Sequence, residues 1–414
     1  MIYHILILLN EHYLTPFLAF FLTTTSIYFL KLILAALYSP IQPDDLIEQS
    51  KQKRQKYSVI VPVYKRQKYS VIVPVYREDP VLFDRVLTSI ETHSSVGLDS
   101  IIVSIDGDNP EARAIAQQHN TIIVECGRVG KRRAMLAASR ALPDSTQFVI
   151  VNDSDTEWTA STLDILLPFY RPEVGGVTGT HVITKPMSNL SSILASWLEI
   201  MRFSVSVKAQ HVLGNVMCLP GRTMAYRRQI FEQAIPYVAS RTLFGRPVIT
   251  GDDRDLTTET IKQGFRAVYQ ESSIVYTDCP RTLGDLFKQQ LRWYRSVTRE
   301  TLVQMGLYIR KMPVQQFFSL EFILSAPILL LLVGRFFYEL LAYGVRQPVL
   351  YPLLIALNVL VYIGLNYIKY LPILARNPKY TIILPLINVL SFVYIFPAKL
   401  LAAVTWLRQG WITR

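Results

Sequence analysis

Residues 145–158 read STQFVIVNDSDTEW, in which an apolar run, Phe148-Val149-Ile150-Val151, ends in Asp153-Ser154-Asp155. A short apolar run bounded by polar turn formers fits a strand covered on both faces. Further apolar runs at 69–73, 101–105 and 121–124 alternate with helical patterns at 81–94, 110–119 and 131–141. This alternation predicts an α/β domain, a mostly parallel sheet with helices on both faces, whose ligands sit beyond the carboxyl ends of the strands. Asp106-Gly107-Asp108 and Asp153-Ser154-Asp155 both stand at such ends. Carboxylates there suit a divalent metal holding a diphosphate, since magnesium and manganese accept one or two carboxylates and complete their shell with phosphate and water.

Outward from this middle part the composition changes. Half of the 414 residues are hydrophobic, and they cluster towards the two ends. Pro16 to Tyr38 is an almost unbroken apolar stretch, long enough for a helix across a bilayer, and its one charge, Lys31, can snorkel. Lys51, Lys53, Arg54 and Lys56 follow, which by the positive-inside rule places the next domain in the cytoplasm. Beyond it, an amphipathic basic stretch from Leu283 to Lys311 reads as a helix lying along the membrane. Apolar segments at 317–343, 349–371 and 380–406 read as candidate spans. Arg335 and Glu339, inside the first of these, are expected to face a protein interior or a polar path. Three full spans would bring the C-terminus outside, so one segment is expected to be re-entrant, interfacial or a hairpin. The expected organisation is an N-terminal transmembrane helix (1–40), a cytoplasmic α/β domain (41–280), an amphipathic interfacial region (281–315) and a C-terminal transmembrane region (316–414). Such a chain is a multi-pass protein of the cell membrane.

The net charge of +12 does not mark a nucleic-acid binder, because the basic residues are scattered and flank the apolar segments. Cys126, Cys218 and Cys279 share no spacing of a zinc site or a disulfide framework. Residues 53–64, KRQKYSVIVPVY, recur unchanged at 65–76. A sheet has one slot for such a strand, and the second copy is expected to fill it because it runs directly into Arg77-Glu78-Asp79-Pro80. The first copy is expected to be an insertion.

Three more clusters carry chemistry. Gly130-Lys131-Arg132-Arg133 opens a helix, where positive side chains and free N–H groups favour phosphate. Gly251-Asp252-Asp253-Arg254 sets two carboxylates beside an arginine, and a positioned carboxylate can take the proton of an attacking hydroxyl. A surface turn held by an ion pair is the plainer reading of the same tetrapeptide. Gln289-Gln290-Leu291-Arg292-Trp293 offers a guanidinium for a pyrophosphate and a flat ring for a sugar. In isolation it serves equally as an interfacial anchor.

In the order VPVY, DG, GKR, DSD, GDDR and QxxRW, the motifs resemble those of the inverting nucleotide-sugar transferases that include hyaluronan, cellulose and chitin synthases. GDDR, in place of a cellulose-type TED, is similar to hyaluronan synthases. Asp153-Ser154-Asp155-Thr156 with Trp158-Thr159, then Cys218-Leu219-Pro220-Gly221-Arg222-Thr223, looks like the streptococcal type 3 capsular polysaccharide synthases. The resemblance covers roughly residues 69–300. It implies a GT-A-like nucleotide-sugar-binding domain and processive, inverting hexosyl transfer from UDP-sugar donors to a growing polysaccharide that passes through the membrane region, with Mg2+ or Mn2+ as cofactor. It also implies that Tyr76, Glu78, Asp106, Lys131, Arg132, Asp153, Gln289 and Arg292 bind the donor and that Asp155 binds the metal. Asp253 would be the catalytic base, with Cys218, Pro220, Gly221, Arg222 and Trp293 at the acceptor. Leu219-Pro220-Gly221-Arg222 departs from the SGP-like turn of hyaluronan synthases, and Trp411-Ile412-Thr413-Arg414 from a WGTR ending, so acceptor identity does not follow from the resemblance. Two other readings share some of these features. One is a non-processive enzyme that charges a lipid phosphate with a single sugar. The other is a non-catalytic transporter or receptor with a nucleotide-sugar sensor, against which the intact set of acids argues.

Overall fold

The computed structural model describes residues 15–42, 67–95, 97–344 and 350–410. The chain divides into two compact units, one of Leu37–Thr282 with Gln409–Arg414, the other of Met1–Ala36 with Leu283–Arg408. Helix α1, Thr15–Ala36, belongs to the second unit. The first unit alternates β1 Tyr69–Val75, α2 Pro80–His93, β2 Leu98–Asp106, α3 Pro110–Gln118, β3 Thr121–Cys126, α4 Lys131–Ser139 and β4 Phe148–Asn152. It continues with β5 Thr156–Trp158, a 3-10 helix Thr162–Tyr170, β6 Val174–Ile183, α5 Leu190–Met201, β7 Thr223–Arg227 and α6 Arg228–Ser240. A small ribbon, β8 Thr242–Leu243 and β9 Arg246–Pro247, precedes α7 Asp252–Lys262 and β10 Arg266–Thr277.

Eight of the strands form one sheet in the order β3-β2-β1-β4-β7-β6-β10-β5. Strands β3 to β4 run parallel, and β7 enters antiparallel between β4 and β6. Every residue of β1 is buried, and Val71 pairs with Ile101 on one side and Ile150 on the other. The copy of the repeat at 65–76 therefore supplies a central strand; the copy at 53–64 lies outside the described residues. Val71, Val73 and Val75 of β1 pack with Phe83, Val86 and Leu87 of α2 in the main core. Pro80 opens α2, and Asp79 caps it by accepting from the Leu82 N–H at 3.0 Å, the usual device for the unpaired donors of a helix start. The segment after α1 docks on β10: the Tyr38 hydroxyl donates to the Tyr269 carbonyl, and Gln270 bonds both backbone groups of Ile41.

In the second unit the basic amphipathic stretch forms α8 Leu283–Val303 and α9 Met305–Lys311. The three apolar segments form α10 Pro313–Gly344, α11 Leu350–Arg376, and a pair, α12 Lys379–Leu390 and α13 Phe396–Thr405, joined by a π-helical turn Ser391–Ile395. Each segment is thus helical along its length, and none is a hairpin. Ala19–Ala36, Pro313–Arg335 and Lys379–Thr405 are long and apolar enough to cross a membrane. Leu190–Val212 also qualifies by length and composition, but it belongs to the sheet unit and is 56% buried by protein. Arg335 is exposed, and the side chain of Glu339 lies outside the described ones. Charged groups also lie elsewhere in the second unit. Lys31 pairs with Glu321 at 3.0 Å, Lys399 lies 3.8 Å from the Phe322 ring centroid, and Lys369 lies 4.9 Å from that of Tyr28.

Candidate active site

The carboxyl ends of β2 and β4 deliver the first two acids. Asp106, last in β2, is buried, and its Oδ1 accepts from the N–H groups of Val129 at 2.7 Å and Gly130 at 3.0 Å. It therefore shapes the loop that presents Lys131, the first residue of α4. The Lys131 Nζ stands 2.6 Å from Asp153 Oδ1 and 3.2 Å from Asp252 Oδ2, joining the turn after β4 to the start of α7. That start is set by Gly251, whose φ of 81° is a left-handed conformation that suits glycine.

Three carboxylates gather around this one ammonium. Burial would lower the Lys131 pKa, but Asp153, Asp252 and Asp253 outweigh it and hold the group charged. Burial likewise opposes ionisation of Asp252, yet Lys131 and Arg132 bring it below the ordinary carboxylate value. Asp153 is pushed up by burial, pulled down by Lys131, and raised again by Asp155 and Asp252, ending above its ordinary value. The excess of negative charge at Asp153 and Asp155 is one that a divalent cation would compensate. Among the described residues no three histidine, cysteine or carboxylate side chains form a metal cage. An ion on Asp155 would therefore draw its other ligands from a diphosphate and water, which suits magnesium or manganese.

Asp253 is half-buried and lies on the other side of the same cluster. Its Oδ1 accepts from the Arg254 N–H at 2.8 Å, and its Oδ2 from Gly221 N–H at 3.3 Å and Cys218 Sγ at 3.5 Å. Burial, with Asp253 adding, pushes the Cys218 thiol well up, so it stays protonated and donates. A Cβ on Gly221 would sit 3.4 Å from both Asp253 Cβ and Lys131 Nζ, in ordinary van der Waals contact, so this backbone lies directly against both side chains.

Two expected site residues are held in buried ion pairs. Arg132 is 5% exposed and turned away from Lys131, as consecutive helical residues are. It donates to the carbonyls of Val238 at 2.9 Å and Thr250 at 2.8 Å and pairs with Asp255 at 2.6 Å, so it fastens α4 to the elements around α7. Arg222 is buried against Glu199 at 2.9 Å. Glu78 accepts from the Ser154 hydroxyl at 2.9 Å, within the acidic turn itself. Tyr76 lies beside Gly107, with the Arg77 and Arg128 guanidinium groups 5.3 Å and 5.6 Å from its ring centroid. Pro220 is half-buried in the segment that leads to Gly221. Gln289, Arg292 and Trp293 are half-buried on α8 of the second unit and share one face at helical spacing. Residues 411–414 lie outside the described ones, although Gln409 accepts from the Ile249 N–H at 2.6 Å, two residues before Gly251.

The sequence reading missed Asn152, Glu199 and Asp255. The Asn152 amide donates to the carbonyls of Asp153 and Thr156 and accepts from Trp158 Nε1 at 3.0 Å, which shapes the DSD turn. Its signal was a lone amide closing an otherwise apolar strand. Asp255 is buried between Arg132 and Arg241.

The profile described as glycosyltransferase-like family 2 matches residues 66–296. Hyaluronan synthase 3 of Xenopus laevis is 32% identical over 69% of this chain and 50% of its own length. The hyaluronan synthase of Streptococcus pyogenes is 28% identical over 69% of this chain and 66% of its own length. An N-acetylglucosaminyltransferase of Rhizobium leguminosarum bv. viciae is 30% identical over 55% and 54%. The chain spans about half the length of the first curated relatives it matches. Among solved structures, a mannosyltransferase from Pyrobaculum calidifontis in complex with GDP-Man and Mn2+ shares the fold at a TM-score of 0.57 and 17% identity, covering 92% of this chain and 99% of that one. The α/β unit is thus GT-A-like. With more than half of its length matched by one profile, across the strands and helices that gather the acids, the chain belongs to glycosyltransferase-like family 2.

Proposed function

We propose that the chain is a processive, inverting glycosyltransferase that builds a polysaccharide from UDP-sugar donors and passes it through its own membrane region. The observation that carries this reading is the junction at Lys131, which sets an ammonium between Asp153 and Asp252, with the half-buried carboxylate of Asp253 beside it. Asp106 holds the loop before Lys131, and Tyr76 and Glu78 flank the same strand ends. Lys131 orients the donor diphosphate. Asp253 takes the proton of the acceptor hydroxyl as that oxygen attacks the sugar carbon, and the bond to UDP breaks in the same displacement. A divalent cation on Asp155 would neutralise charge on the departing diphosphate. Arg292 is assigned to the leaving group and Trp293 to the acceptor sugar, on the family resemblance of QxxRW.

The second unit supports the transport half of the proposal. Its apolar helices hold Lys31, Glu321, Lys369 and Lys399 against aromatic rings and each other, and charged groups in such helices mark polar paths. By the positive-inside rule the sheet unit is cytoplasmic.

The test is incubation of the purified chain with single and paired UDP-sugars, with UDP release and product size both measured. Sustained release with a long product supports the proposal. Release that stops at one sugar on a lipid would replace it with the non-processive reading. Sustained release with only one UDP-sugar indicates a homopolymer, and a requirement for two indicates an alternating chain.

A further inference from the structure

We infer that Glu199 is a positioning residue for this transfer: by holding Arg222 it fixes a strap, residues 218–223, that ties the turn at Asp153 to the base at Asp253. The inference rests on the role proposed for Asp253.

The strap touches both halves of the site. On one side, the Arg222 carbonyl accepts from the Asp153 N–H at 2.9 Å, and the Thr223 hydroxyl donates to Asn152 Oδ1 at 2.5 Å. On the other side, Gly221 N–H and Cys218 Sγ reach Asp253 Oδ2. Leu219 N–H donates at 2.9 Å to the Thr257 hydroxyl, which in turn donates at 2.7 Å to the Asp253 carbonyl. A shift of the strap is therefore felt at Asp153 and Asp253 together.

Glu199 anchors the strap from outside the motifs. It lies near the end of α5, is 4% exposed, and sets its carboxylate 2.9 Å from Arg222 Nη1 and 3.3 Å from Arg202 Nη1. A glutamate is seldom buried so completely without a cationic partner. His181 adjoins the pair; burial, then Arg222 and Arg202, hold its pKa well below the ordinary value, so it is neutral and does not compete for Glu199. A buried ion pair is often no more stabilising than apolar residues of the same volume. What it does supply here is a fixed place for Arg222, and through it for Gly221 against Asp253.

Glu199→Asp separates geometry from charge, because it keeps the carboxylate and withdraws it by one methylene. Turnover at saturating donor should fall about ten- to a hundredfold, as misplacement by ~1 Å can cost ~10²-fold. Donor KM should change less than turnover, because Asp106 and the pairing of Lys131 with Asp252 are held by contacts that do not pass through Arg222. A second measurement needs no turnover. Iodoacetamide alkylation of Cys218 in the folded protein, followed by mass spectrometry with Cys126 as the internal control, should speed up about tenfold or more when the strap loosens. Glu199→Gln and Arg222→Gln should be non-additive, the double variant being no slower than the worse single one.

Unchanged Cys218 alkylation in Glu199→Asp and Glu199→Gln overturns the inference. So does a Glu199→Asp enzyme that keeps more than about half of wild-type turnover, or one whose loss follows only the folded fraction seen by thermal unfolding. If Cys218 alkylation rises as expected while Asp253→Asn leaves turnover intact, the strap stands and the proposed role of Asp253 fails.

Discussion

Replacing Lys131 by glutamine removes the one cation that joins the two acidic motifs. In the wild type the Lys131, Asp153 and Asp252 side chains are 17%, 30% and 10% exposed. Breaking a buried ion pair from one side costs about 3–5 kcal/mol, because the remaining charge has no compensation. Asp153 keeps contact with water and can take up a proton, so the expected loss is at the low end or below it, about 2–3 kcal/mol near pH 7.5. For a unit of this size each kcal/mol moves the melting temperature by about 2–4 °C, so the variant should melt roughly 4–12 °C below wild type. The loss should depend on pH. In the wild type the Asp252 carboxyl titrates below its unfolded value, so its contribution is present above about pH 4 and is lost as pH falls through the lowered value. Without Lys131, burial and mutual repulsion raise both carboxyls above their unfolded values, the folded state binds protons more readily, and the deficit shrinks towards about pH 5. Thermal unfolding of both proteins in detergent at about pH 5 and about pH 8 measures this. Equal melting of wild type and variant, or a deficit of the same size at both pH values, refutes the bridging role.

Asparagine at Asp253 keeps the side-chain size but takes no proton from a hydroxyl, so turnover should fall about 10²–10⁴-fold with donor binding by calorimetry unchanged. Retention of more than about a tenth of turnover sends the proton elsewhere. Asp252→Asn loses the pairing with Lys131 instead, and should show a smaller loss of turnover together with lower stability. UDP release should stop in chelator and return with magnesium or manganese; full turnover in chelator removes Asp155 from its assigned role. Val71→Pro removes a ladder bond from the centre of the sheet and should abolish folded protein, whereas Val59→Pro in the other copy should be tolerated. The reverse result would give the strand slot to the first copy.

The α/β alternation from 69 to 152 was legible because its strands hold short β-branched runs, such as Val71-Ile72-Val73 and Thr121-Ile122-Ile123-Val124, and its helices carry capping residues such as Asp79 and Asn109. Strands β6, β7 and β10 were not, since Val-Gly-Gly-Val-Thr-Gly-Thr at 174–180 has neither a clean period nor a dense apolar run, and the antiparallel insertion of β7 leaves no local mark. Leu190–Val212, which opens with α5, is apolar and long enough for a span, and its cover of protein goes with its place in the sheet unit.

By itself the sequence determined which residues could do the chemistry and where the chain turns from long apolar helices to an α/β domain, because composition and periodicity act over a few turns of chain. Tertiary structure decided which charges meet. Lys131 and Arg132 are adjacent in sequence, yet a turn of about 100° per helical residue sends one to Asp153 and the other to carbonyls 106 and 118 residues away. Asp252 and Asp253 divide in the same way, one closed against Lys131 and the other open beside Gly221. Glu199, on an apolar helix with no motif around it, becomes the anchor of the strap only because β7 folds back between β4 and β6 and carries Arg222 to it.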